Sequence, residues 1–200
     1  SALLGFAYAR CNRWDEAADA LGRAIANDPR NRELHDQRIA ALDQLGRPAD
    51  RITALELAAR TFPEDPRLAR SLGLALSEAG REAEAIPALT RALQLDPRAS
   101  DVAPKLAAHH LDVARREAAA ARIDRAIESG RASLAVAPDP TAAAIFVADL
   151  LRGRREYPEA AQLYERALAV RIDAVDAIYG AAACYAAMGR TGEVVHPLQR

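Results

Sequence analysis

Residues 66–97, PRLARSLGLALSEAGREAEAIPALTRALQLDP, decide how the chain is read. Gly73, Ala85 and Ala92 are small where two antiparallel helices would approach closely, and Leu72, Leu76 and Leu89 are large where the space between them must be filled. Gly80 suits the left-handed residue that ends a first helix, and Pro97 stops a second. The stretch therefore predicts a helical hairpin held by packing, and nothing in it points to chemistry.

Working outward in steps of 34 residues finds the same hairpin again. Ala7, Ala41 and Ala75 fall in one column; Tyr8, Leu42 and Leu76 in a second; Leu21, Leu55 and Leu89 in a third; Ala24, Ala58 and Ala92 in a fourth. Pro29, Pro63 and Pro97 close the second helix each time. The spacing predicts helices over 2–11 and 14–27, 32–45 and 48–61, then 66–79 and 82–95, with a mild kink at Pro87. Trp14 takes the place at the turn that Tyr157 takes later.

The period then slips. Leu89 and Tyr164 hold equivalent places, yet they lie seven residues further apart than two periods allow. The expectation is that both helices of the unit over 100–140 are longer, at about 101–118 and 120–137, with Ser100 as N-cap and Gly130 as a breaker inside the second. Phase recovers with helices over 141–153, 157–170, 175–188 and 191–199, the last leaving Val194, Val195 and Leu198 uncovered. The whole is an all-α solenoid of about six stacked hairpins in one domain, with units at 1–31, 32–65, 66–99, 100–140 (enlarged), 141–174 and 175–200 (incomplete).

The 200 residues are half apolar and 4% aromatic, with a net charge of −1, which gives no global field for nucleic acid or an anionic membrane. Lys105 is the one lysine among 27 basic residues, which reads as the coding bias of a GC-rich bacterial genome. Cys11 and Cys184 offer neither a disulfide framework nor a CxxC pair. No run of 18 apolar residues occurs, so no transmembrane helix is expected. With no initiator Met and a start inside a repeat, the chain is read as a segment of a longer bacterial protein, and its compartment, cytoplasm or periplasm, stays open.

Leu72-Gly73, Leu76, Ala85, Leu89, Ala92 and Pro97 resemble the tetratricopeptide-repeat pattern, and the resemblance covers nearly the whole chain. It implies a right-handed superhelix whose concave groove, lined by the first helix of each repeat, holds peptide segments or helices of partner proteins. Carried over position by position, it implies a groove surface comprising Phe6 and Arg10; Asp36, Gln37 and Asp43; Arg67 and Arg70; Lys105; Phe146 and Asp149; and Tyr179. That surface is acidic in the second repeat, basic in the third and partly aromatic toward the C-terminus. The family's carboxylate clamp is not matched: Ala2, Phe6, Gln37, Arg67 and Ser71 stand at its places, and of these Arg67 alone is comparable.

Chemistry finds little footing. His109 and His110 point about 100° apart on a helix and lack a third ligand. Cys184 falls in the column of Ala7, Ala41 and Ala75, and reads as a small buried residue. The arginines at 115, 116, 152, 154 and 155 follow no regular code of the kind single-strand readers use. No phosphate loop, nucleophile elbow or HExxH occurs. The expectation is a non-catalytic scaffold without cofactor or metal, binding a protein or peptide segment and neither nucleic acid nor membrane. Self-association through uncapped ends is also open to it. The rival reading is a spacer or self-association module in a multidomain bacterial protein, such as a polysaccharide synthesis or export component or a glycosyltransferase.

Overall fold

The computed structural model describes residues 2–190 and 192, and the described residues form eleven α-helices and no strand. The helix expected over 191–199, with Val194, Val195 and Leu198, lies outside the described residues. Contacts divide the chain into two compact units, 1–102 and 103–200.

The first unit holds three hairpins: α1 (Ala2–Arg10) with α2 (Trp14–Asn27), α3 (Arg32–Gln44) with α4 (Pro48–Thr61), and α5 (Pro66–Glu78) with α6 (Glu82–Leu95). Each helix packs on the next, and α1 also meets α3. The column residues Leu21, Leu55 and Leu89 are fully buried, as are Ala24, Ala58 and Ala92, which accept the crossing helix. Burying each leucine stabilises the array by about 1.5–3 kcal/mol. The crossing is tight enough that a Cβ on Gly73 would lie 2.6 Å from Leu89 Cδ2, and one on Gly5 would lie 2.7 Å from Leu21 Cγ. Asp28, Phe62 and Asp96 end their helices at ψ of +77°, +68° and +91°, outside the helical region that the prolines following them disfavour. Pro87 sits inside α6, which continues unbroken to Leu95.

The second unit contains nearly all of α7 (Val102–Ala119), then α8 (Ile123–Val136), α9 (Thr141–Gly153), α10 (Tyr157–Val170) and α11 (Val175–Ala187). Its core gathers Leu111, Val147, Leu151, Tyr164 and Cys184. Burial raises the Cys184 pKa, so the thiol behaves as the small core residue expected; Ala41 and Ala75 of the same column are buried too, while Ala7 is exposed.

The seven extra residues are not shared between two lengthened helices. At 14 residues α8 matches α2, α4, α6 and α10, so that expectation is corrected. Five of the seven lie in α7, which has 18 residues against 13 in α3 and α5, and two lie in the connection before it. Nor does Gly130 break α8. It is buried inside the helix, where a Cβ would lie 2.4 Å from Val147 Cγ2. The glycine admits α9 at close range.

A left-handed residue follows α1, α3, α5, α7, α9 and α11 in turn: Asn12, Gly46, Gly80, Ala121, Arg155 and Gly189, with φ between +57° and +73°. A Schellman closure causes this, as in Arg81 N–H to Leu76 O at 2.9 Å and Glu156 N–H to Leu151 O at 2.9 Å. Ion pairs then join successive hairpins on the surface: Arg47 to Asp15 at 3.0 Å, Arg81 to Glu56 at 3.3 Å and Arg91 to Glu64 at 2.6 Å in the first unit; Arg131 to Glu159 and Arg154 to Asp124 in the second.

Candidate functional site

In the first unit, the exposed faces of α1, α3 and α5 carry the residues the sequence assigns to a groove. Arg10, Asp36, Asp43, Arg67 and Arg70 are exposed; Phe6 and Gln37 are half-buried. Packing of α1 on α2 and α3 leaves a cleft of about 450 Å³ that brings Phe6, Arg10, Trp14, Glu33, Gln37 and Gln44 together. Trp14, the first residue of α2, packs half-buried against the core there beside Phe6.

The charges are less open than the sequence suggests. Asp36 pairs with Arg32 at 2.9 Å, Asp43 with Arg51 at 3.3 Å, and Arg70 with Asp101 at 2.9 Å. Arg67 stands 3.8 Å from Asp65, the carboxylate that caps α5 by accepting from the Arg67 and Leu68 N–H groups. The acidic and basic zones are thus partly neutralised within the chain. Arg10 and Glu33 make no ion pair among the described residues, and the Gln37 and Gln44 amides make no hydrogen bond among them.

His35 fixes the start of α3. It is buried, its Nε2–H donates to Pro29 O at 2.8 Å, and its ring meets Phe62 edge-on. Sequence reasoning passed over it, although a histidine six residues after a helix-closing proline, beside the apolar Leu34, was a signal.

In the second unit Lys105 is exposed on the added first turns of α7. Phe146 is half-buried against the core, and Asp149 accepts from the Tyr164 hydroxyl at 2.6 Å and from Arg152 at 3.1 Å. Burial first, then Asp149, raises the Tyr164 pKa, so the phenol stays neutral and donates. Tyr179 is 66% exposed, and Val175, one turn before it on α11, is 58% exposed. Nothing in the residue pattern announces a cleft of about 300 Å³ between α7 and α9, walled by Pro104, Ala107, Leu111, Ala142 and Ala143 with Asp139 at its edge. Alanine so abundant carries no pattern that would mark it.

Among the described residues no group of three or more His, Cys, Asp or Glu could hold a metal ion, and no helix is long and apolar enough to cross a membrane. His109 and His110 form no such group. Burial and His109 lower the His110 pKa.

These are antiparallel helical hairpins, built on a 34-residue spacing and closed by one kind of turn. Models of the tetratricopeptide repeat match residues 37–100 and, with a second model, residues 2–33 and 143–174, together well over half of the chain. The chain belongs to the tetratricopeptide-repeat family. Among solved structures, MamA is 22% identical, covers 82% of this chain and 92% of its own, and has a TM-score of 0.46. YrrB, described as a TPR protein with an unusual peptide-binding site, is 15% identical over 92% of this chain and 91% of its own, at 0.47. PilF of Pseudomonas aeruginosa is 22% identical over 98% and 87%, at 0.45. No curated protein matches the chain.

Proposed function

We propose that the chain is a non-catalytic interaction scaffold that holds a segment of a partner protein along the exposed faces of its first helices. The observation that carries this reading is the cleft between α1 and α3, where aromatic, amide and charged side chains converge without satisfying one another. The hairpins on either side are fixed by their own packing, so the receptor side loses little ordering entropy on binding. A polypeptide suits this surface better than a nucleic acid. Three arginines of the clusters are engaged within the chain by ion pairs: Arg115 with Asp112, Arg152 with Asp149, and Arg154 with Asp124 and Glu156. The groove proposed in the second unit comprises Lys105, Phe146, Asp149 and Tyr179, and in the first Phe6, Arg10, Asp36, Gln37, Asp43, Arg67 and Arg70.

The test is cross-linking in the native host, followed by titration of the identified partner against variants in these faces. Phe6→Ser and Arg67→Glu should each weaken binding at least tenfold. A partner bound equally well by both variants overturns the reading. The exposed side chains of Leu3, Val170, Ile172, Val175 and Tyr179 favour self-association as a second reading. A sedimentation coefficient that climbs with protein concentration and falls on Tyr179→Ser would establish it.

A further inference from the structure

The α1–α3 cleft carries more detail than a generic groove. Its two unpaired charges, Glu33 and Arg10, stand at opposite ends. Glu33 lies in the first turn of α3, and Arg10 in the last turn of α1. By the 34-residue repeat, Arg10 is level with Gln44, eleven residues from Glu33 and so about 16 Å along the helix axis. An extended chain advances about 3.3 Å per residue, so that span takes about five residues. Between the two ends Phe6 is level with Ala40, about 10 Å from Glu33 and about 6 Å from Arg10, and Trp14 closes the wall beside it. Gln37 and Gln44, unbonded among the described residues, present amide groups that donate to and accept from a main chain.

We propose that this cleft binds an extended peptide bearing a basic and an acidic residue five positions apart. A bulky apolar side chain lies between them, two positions from the acidic one, and inserts against Phe6 and Trp14. The basic residue pairs with Glu33 and the acidic one with Arg10. The apolar residue supplies most of the affinity, and the charges set register and arrival rate. The proposal rests on the scaffold reading and names the partner chemistry of the same site.

Trp14 is the chain's single tryptophan, so its emission reports occupancy of this cleft and no other. The probes are end-capped hexapeptides, Lys-Ala-Ala-Leu-Ala-Asp and the reversed order Asp-Ala-Leu-Ala-Ala-Lys, titrated at low ionic strength. At least one should shift Trp14 emission saturably. Replacing its leucine by serine, or Phe6→Ala in a chain with unchanged helical circular dichroism, should weaken binding at least tenfold. Glu33→Lys should reject that peptide and accept one with glutamate in place of the lysine, and Arg10→Glu should do the converse at the acidic position. Equal binding of an uncharged Gln/Asn peptide, or charge reversal that does not transfer preference, overturns the proposal. A random peptide array separates its failure from that of the scaffold reading. Binders that lack the pattern and leave Trp14 unmoved sink this chemistry alone; no binder at all sinks both.

Discussion

Gly73 and Leu89 allow the packing argument to be tested as a pair. A methyl group on Gly73 would lie 2.6 Å from Leu89 Cδ2 and 3.0 Å from the Leu89 backbone nitrogen. Carbon atoms in good contact stand about 3.5–4.0 Å apart. Leu89 is fully buried, so its side chain has no solvent to swing into, and its backbone is held in α6. Gly73→Leu should therefore overpack the crossing and destabilise the chain by about 1–3 kcal/mol. The gain in helix propensity on replacing glycine, about 0.8 kcal/mol, only partly offsets this. Leu89→Ala alone should cost about 2–5 kcal/mol by leaving a cavity. In the double variant the new leucine occupies the vacated space, so the combined loss should fall below the sum by more than 1 kcal/mol. Independent sites add within about 0.5 kcal/mol. Urea unfolding followed by far-ultraviolet circular dichroism gives all three values. Additivity within that limit, or a Gly73→Leu variant as stable as the parent, would refute the contact and with it the hairpin register.

Two further outcomes follow from the turns and from α7. Ala121→Gly and Arg155→Gly should each stabilise by about 0.5–1 kcal/mol, because a left-handed residue with a Cβ costs about 1–2 kcal/mol and glycine's greater freedom when unfolded returns part of that; a lowered melting temperature in both would contradict the closure. The His110 pKa lies below its ordinary 6.5 through burial and then His109. Between the folded value and 6.5 the unfolded chain binds the extra proton, so stability rises with pH across that window and is lost on acidification. His110→Gln should flatten the melting temperature between pH 7.5 and 5, and an unchanged slope would place the titration elsewhere.

Helix limits were legible wherever proline or glycine punctuates the chain. Pro48–Thr61 and Glu82–Leu95 stand where the spacing puts them, because Pro63, Gly80 and Pro97 act through local backbone sterics that need no neighbour. Ala121 and Arg155 were opaque, since nothing in their chemistry announces a left-handed residue, whereas Asn12 is of the type that adopts it most readily after glycine. The hairpin closure demands the conformation there, and packing carries the strain. Gly130 misled for the converse reason: its flexibility suggested a break, while the molecule uses its lack of a side chain against Val147. Of the proposed site, the charge pairing was not legible in the sequence. Phe6, Arg10 and Gln37 do meet in one cleft, but Arg70 is answered by Asp101, 31 residues on, and a pairing at that range cannot be read from either residue.

The arginines that reach from one hairpin to the next, Arg47 to Asp15 and Arg81 to Glu56, sit at the joints of the first unit, on the surface of an apolar core that itself runs from α2 into α3 and α4. Added salt screens exposed charges beyond about 10 Å at 0.1 M and leaves apolar burial intact. Exposed pairs of this kind contribute about 0.2–1 kcal/mol each, so high ionic strength should trim the coupling between neighbours only slightly. Melting of the first unit should therefore remain a single transition in high salt, its neighbours tied by a shared greasy seam that dissolved ions do not loosen.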